Sequence, residues 1–188
     1  MKKLILIGGV LAGGKSTFSH IIGERFGISV VNKDRLKEIL GDNITTANRE
    51  ENKKLSVIAF ELMSYLAEGE GSALILESNF KDYELKALKD YELKALKEKC
   101  DTAGCDVLSV FLDGDDATLH SRFIKRLGEN RHPVHKSQDF SRLEDFTDTL
   151  NELRAAEYFG EILCVDCTDF SYQTDESIFE RIKVFLNK

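Results

Sequence analysis

Five short apolar runs, Leu4 to Ile7, Ile28 to Val31, Ala73 to Leu76, Val107 to Leu112 and Ile162 to Val165, alternate with longer stretches of helical period. This alternation constrains the fold most, because strands separated by helices pair in parallel through crossover connections. The runs are nearly continuous in apolar residues, as expected for strands covered on both faces. Helical patterns fill about Lys15 to Phe26, Lys33 to Leu40, Arg49 to Glu68, Asp82 to Ala103, Ala117 to Leu127, Arg142 to Tyr158 and Asp175 to Leu186. The predicted class is α/β, a three-layer αβα sandwich around a five-stranded parallel sheet.

A chain of 188 residues, 42% hydrophobic and 31% charged, is enough for one packed core, so a single domain over 1–188 is expected and disorder is excluded as the main state. A net charge of -7 and a pI near 5.2 argue against a general nucleic-acid or anionic-membrane binder. Any anionic ligand must then meet a local basic patch. The opening MKKLILIGGVLAGG imitates a secretory signal, but it runs into Gly13-Gly14-Lys15-Ser16 with no small-x-small cleavage site, and no apolar run has transmembrane length. Four cysteines without a disulfide framework suit a reducing compartment. The expected location is cytoplasmic, as a monomer or homodimer.

One tandem repeat is perfect: Lys81 to Leu88 and Lys89 to Leu96 both read KDYELKAL. In a helix, eight residues do not complete whole turns, so the copies would face different directions. The expectation is a duplication that lengthens a surface helix or loops out.

The strongest chemical signal is Gly9-Val-Leu-Ala-Gly-Gly14-Lys15-Ser16, a full match to G-x-x-x-x-G-K-[ST] between a predicted strand and a predicted helix. In such a loop the backbone amides of Gly9, Ala12, Gly13 and Gly14, continuing into Lys15, Ser16 and Thr17, wrap phosphates at the helix's positive end. Lys15 reaches the β- and γ-phosphates, and the Ser16 hydroxyl ligates Mg²⁺. Asn32-Lys33-Asp34 is too short, and falls too early, to be a guanine-recognition element.

Asp34 follows the second strand at the carboxyl edge, where open α/β sheets bind ligands. Its carboxylate is placed to orient an acceptor hydroxyl or take its proton, or more simply to cap the next helix. Glu77 ends the third strand, placed to orient Mg²⁺ through water or to hold the acceptor, or an exposed strand-end acid with no role. From Lys125 to Arg142 there are five Lys or Arg and two acids, a net +3 against the acidic background. Arg122 and Arg126, four apart on one helical face, and Arg131 are therefore candidates for stabilising transferred phosphoryl charge, with a lid at about 126–141 closing over it. A solvated helix end is the plainer alternative.

These motifs resemble the small P-loop kinases of the adenylate-kinase-like group, including predicted kinases built like the polynucleotide 5'-hydroxyl kinase domain, zeta toxins, and shikimate or gluconate kinases. The resemblance covers nearly the whole chain. It implies a P-loop NTPase fold with sheet order 2-3-1-4-5 and a mobile lid. Arg122 and Arg126 match the family's Arg-x-x-x-Arg pair, the first stacking near adenine and the second touching phosphates. Asp34 would be the acceptor-activating acid, with Lys37 beside it. Leu11 and Gly13 stand where many members carry proline and serine.

The resulting expectation is an ATP- and Mg²⁺-dependent kinase, Lys15, Asp34, Arg122, Arg126 and Arg131 being catalytic, that phosphorylates a small-molecule acceptor. A nucleic-acid 5'-hydroxyl kinase and a non-catalytic ATP-binding switch are the rivals; the acidic second half disfavours nucleic acid. Cys100, Cys105, Cys164 and Cys167 read as core thiols, Cys164 in a buried strand. His132 and His135 read as partners for phosphate or acceptor before zinc.

Overall fold

The computed structural model describes residues 1–69, 71, 73–80, 82–85, 88–127, 132–135 and 140–188, with the backbone path alone for 82–85 and 88–91. Arg131, with much of the expected lid, lies outside the described residues. In chain order the elements are β1 (Lys3–Gly9), α1 (Lys15–Phe26), β2 (Val30–Asn32), α2 (Lys33–Asn43), α3 (Arg49–Glu68), β3 (Ala73–Glu77), β4 (Asp82–Leu85) and β5 (Leu88–Tyr91). They continue with α4 (Glu92–Ala103), β6 (Asp106–Asp113), α5 (Asp116–Leu127), α6 (Leu143–Arg154), β7 (Glu161–Asp166), a 3-10 turn at Ser171–Thr174, and α7 (Glu176–Leu186).

Five strands form one sheet in the order β2-β3-β1-β6-β7, every pairing parallel. With the β4–β5 hairpin set aside, this is the 2-3-1-4-5 order that the resemblance implies. The middle strand, β1, is buried along its whole length. Side chains alternate across a strand, so Leu4 and Leu6 join Phe60, Met63, Leu93 and Leu96 from α3 and α4. Ile5 and Ile7 join Phe18, Ile22, Phe146 and Phe179 from α1, α6 and α7 on the other face. Two cores on one strand explain its uninterrupted apolar run.

The edge strand β7 behaves differently, and the expected burial of Cys164 is corrected. Leu163 and Val165 pack on the α7 side, but the core under α3 and α4 does not extend to Ile162 and Cys164. Ile162 is 52% exposed, and the Cys164 thiol is exposed with it. Among the described residues no helix is long and apolar enough to cross a membrane.

The helix expected over Asp82 to Ala103 is also corrected. It starts only at Glu92, because Asp82–Leu85 and Leu88–Tyr91 pair as an antiparallel hairpin with Asp82 opposite Tyr91. The duplication therefore does not lengthen a helix; it loops out, as a two-stranded hairpin separate from the main sheet. Asp82 to Leu85 of the first copy is strand, while the same four residue types in the second copy, Asp90 to Leu93, begin as strand and turn into helix. Identical local propensity reaches two outcomes because Leu93 and Leu96 of the second copy are drawn into the core beside Leu4 and Phe60. Burial outweighs the few tenths of a kcal/mol, roughly, by which intrinsic preferences differ.

Candidate active site

All five parallel strands end at one edge, and the chain leaves β1 toward β2 on one side and returns to β6 on the other. The crevice at the carboxyl end of β1 is the position where such sheets take ligands. There β1 runs into the glycine-rich loop. Gly9 has φ 121, and a Cβ on it would lie 2.1 Å from the Leu112 carbonyl oxygen, so no side chain fits. The Val10 amide donates to that same oxygen at 2.9 Å, tying the loop to β6. Gly14, in the left-handed region at φ 80, precedes α1 and offers no side-chain cap. The first amides of α1 thus lack a side-chain partner and face the loop with the positive end of the helix dipole. Ala12 takes a left-handed φ of 58, a strained conformation for a residue with a Cβ.

Lys15 folds back into this loop. Its Nζ donates to the Val10 carbonyl at 2.6 Å and to the Gly9 carbonyl at 3.3 Å, and the residue is 9% exposed. Burial pulls its pKa below the ordinary lysine value, against the opposing pull of Glu77 and Asp34. Arg126, in the last turn of α5, is near enough to lower it further.

Glu77, at the end of β3, is buried, and burial pushes its pKa up to about 7. Lys15 opposes that rise, Asp34 adds to it, and a hydrogen bond with Ser16 lowers it. The reading of Glu77 as an exposed strand end is thereby excluded. Asn32, which the sequence reading passed over, joins these groups. Its Nδ2 donates to Glu77 Oε2 and lies 3.4 Å from Ser16 Oγ, while its Oδ1 accepts from the Arg35 amide at 2.8 Å. Asn32 is thus the cap of α2. Asp34 is left exposed in the first turn with its carboxylate uncommitted to capping, and its charge reaches both Lys15 and Glu77. Asparagine directly before a helical pattern is itself a cap signal, the one clue that would have found it.

The Ser16 hydroxyl and the Glu77 carboxylate are hard oxygen donors brought to one point. Among the described residues no three His, Cys, Asp or Glu side chains gather to enclose a metal. That donor set fits Mg²⁺, which takes one or two protein oxygens and completes its shell with water and phosphate.

Without metal, Glu77 makes stability depend on pH. Its folded pKa lies above the unfolded value, so the native state holds the extra proton and stability falls as pH rises from about 4.5 to about 7. Glu77→Gln is expected to abolish that slope. In metal-free buffer at pH 8 the variant should be the more stable protein, by roughly 2 to 3 kcal/mol. Denaturant melts at pH 5 and pH 8 check this; equal slopes in both proteins would refute it.

The basic residues are distributed less simply. Arg122 donates to the carbonyls of Cys167 at 2.6 Å and Thr168 at 2.7 Å, and lies 4.2 Å from the Phe170 ring centre. Its guanidinium therefore shapes the segment after β7. Arg154, at the end of α6, holds Asp113, Gly114 and Asp116 where β6 passes into α5. The two histidines are corrected: their partners are acids of α2, not a free phosphate-facing position. His132 Nε2 meets Asp42 at 2.9 Å and His135 Nε2 meets Glu38 at 3.0 Å. Between them Val134 is buried, and its carbonyl accepts from Asn52 at 3.1 Å. This stretch packs against α2 and the start of α3.

The sheet order, the loop that opens α1 and the acids at the strand ends define a class: this is the fold of the P-loop small-molecule kinases. No family model matches the chain, and no curated protein is similar to it in sequence. Solved structures are similar. A Chloroflexus aurantiacus protein provisionally named a kinase superposes with TM-score 0.78 at 22% identity over 98% of each chain. Shikimate kinase from Bacteroides thetaiotaomicron gives 0.62 at 14% identity, over 100% of this chain and 99% of that one. A gluconokinase from Sinorhizobium meliloti gives 0.55 at 15%, over 96% and 97% respectively.

Proposed function

We propose that this chain is an ATP-dependent phosphotransferase that moves the γ-phosphoryl group to a hydroxyl of a small acceptor. The supporting observation is that the Lys15 ammonium, the Ser16 hydroxyl and the Glu77 and Asp34 carboxylates are gathered at one sheet edge beside the open amides of α1. Similar folds named as kinases of shikimate and gluconate add to it. The reading takes 1–188 as one domain with a lid at about 126–141, working in the cytoplasm as a monomer or homodimer.

In this reading the loop amides and Lys15 hold the triphosphate. Ser16 and Glu77 would hold Mg²⁺, which when bound would supply positive charge against the phosphates. Asp34 orients the acceptor hydroxyl and receives its proton as the oxygen attacks phosphorus, and ADP leaves with the bridging oxygen. Arg126, with Arg122 and Arg131, offsets the negative charge that spreads over the equatorial oxygens. Positioning and electrostatics carry the reaction, and water must be excluded as the lid closes.

The test is ADP release from Mg-ATP with sugars, nucleosides, amino-alcohols and oligonucleotides as acceptors. Stimulation by one small-molecule class is expected. Stimulation by oligonucleotide ends alone, or ATP binding with no stimulated release, would contradict it.

A further inference from the structure

A loop built from Gly8, Gly9, Gly13 and Gly14 has more conformational freedom than any other kind of chain. To grip phosphate it must nevertheless present its amides in one arrangement, since every disordered state it visits weakens binding. Lys15 and Leu112 hold part of it. Two tyrosines from distant parts of the chain hold the rest.

Tyr172, on the 3-10 turn after β7, donates its hydroxyl to the Gly13 carbonyl at 3.2 Å. The ring is 2% exposed and lies edge-on to Phe18, with centres 5.2 Å apart, so the hydroxyl has little freedom to move away. Tyr158, after α6, accepts the Gly9 amide at 3.1 Å. Its ring is edge-on to both Phe111 and Phe80. The closeness of both tyrosines is visible in what a Cβ would meet. On Gly14 it would lie 2.2 Å from the Tyr172 hydroxyl, and on Gly8 2.0 Å from that of Tyr158. Gly8 lies outside the phosphate-loop motif, and Tyr158 is the reason it must be glycine.

The geometry points to Tyr172 and Tyr158 as positioning residues that set the phosphate-binding shape of the loop, Tyr172 by aiming the Gly14 amide. This rests on the nucleotide reading above. In a trans peptide, the carbonyl of one residue and the N–H of the next point in opposite directions. A Gly13 carbonyl held toward Tyr172 therefore turns the Gly14 N–H away from Tyr172, toward the side where Lys15 and the start of α1 await an anion. Tyr158 fixes the entry to the loop in the complementary sense, by accepting the Gly9 N–H; the expectation that the Gly9 amide meets phosphate is thereby corrected, since it is already donated to Tyr158. Neither tyrosine touches the transferred group, and both act through the backbone.

The experiment compares the wild-type chain with Tyr172→Phe and Tyr158→Phe, each losing one oxygen and keeping its ring. Calorimetry with Mg-ADP, thermal melting and amide exchange over residues 9–17 are measured on all three. Tyr172→Phe is expected to raise the Kd for ADP about five- to tenfold, the equivalent of one hydrogen bond, and to speed exchange of the Gly14 amide, with a modest fall in melting temperature as the Gly13 carbonyl loses its partner. Tyr158→Phe is expected to weaken ADP similarly and also to lower the melting temperature, because the Gly9 N–H is left without its partner. A purely structural role would show the reverse, a lower melting temperature with unchanged ADP affinity in the folded protein, and would overturn the inference. If the wild type binds no ADP, the nucleotide reading fails. The brace is then judged by exchange alone, and unchanged Gly14 exchange in Tyr172→Phe would refute it.

Discussion

Lys15→Ala is expected to lower acceptor-stimulated ADP release by about a thousandfold or more, while circular dichroism and the melting profile stay close to wild type. The loss is large because the ammonium is already seated inside the loop, on the Gly9 and Val10 carbonyls. Removing it leaves loop carbonyls and Glu77 facing incoming phosphate without the ammonium buried among them. The fold is expected to survive because burial already disfavours the charge, as the lowered pKa records. Losing the carbonyl contacts is offset by losing the desolvation cost. Arginine should not rescue activity, since a planar fork does not fit a space closed around a single ammonium. Turnover within tenfold of wild type would remove Lys15 from the mechanism.

Asp34→Asn should lower kcat by about a hundredfold to ten-thousandfold, the range for losing a positioned general base, with the Kd for ATP nearly unchanged. Because Asn32 caps α2, the variant removes no cap, and its melting temperature should match wild type. Asn32→Ala is the informative contrast. It removes the cap and the amide on Glu77 together, so it should cost stability, about 1 kcal/mol from the cap alone. Activity of Asp34→Asn equal to wild type would leave the acceptor without a base in this mechanism.

The residues differ in how far they could be read in advance. Ranges for α1 and α3 are legible to the residue, because each has an apolar period of the right length and glycine, asparagine or turn residues at its ends. The hairpin at β4 and β5 is not legible. Asp82 to Leu85 is repeated as Asp90 to Leu93, which begins as strand and turns into helix, so no local rule separates the two copies. Cys164 looks buried because its strand is apolar, but burial is decided by which helices reach the sheet's edge. Asp34 and Glu77 could be placed at the sheet edge from their positions after strands. Their mutual influence could not, because β2 and β3 are neighbours only once the strand order is known. The histidine partners are not legible for a similar reason: the acids that meet His132 and His135 lie on α2, far away in sequence.

By itself the sequence determined the parallel α/β class, the position of the phosphate-binding loop and the chemical types available at the strand ends. Those are properties of local period and spacing, and physics of that range is written in consecutive residues. The tertiary structure alone decided that Asn32 joins Ser16 to Glu77, that Glu77 titrates near neutrality, and that Tyr172 reaches Gly13 across 159 positions of chain. Such contacts and the low dielectric around them arise when distant segments pack together and exclude water, so no local pattern encodes them.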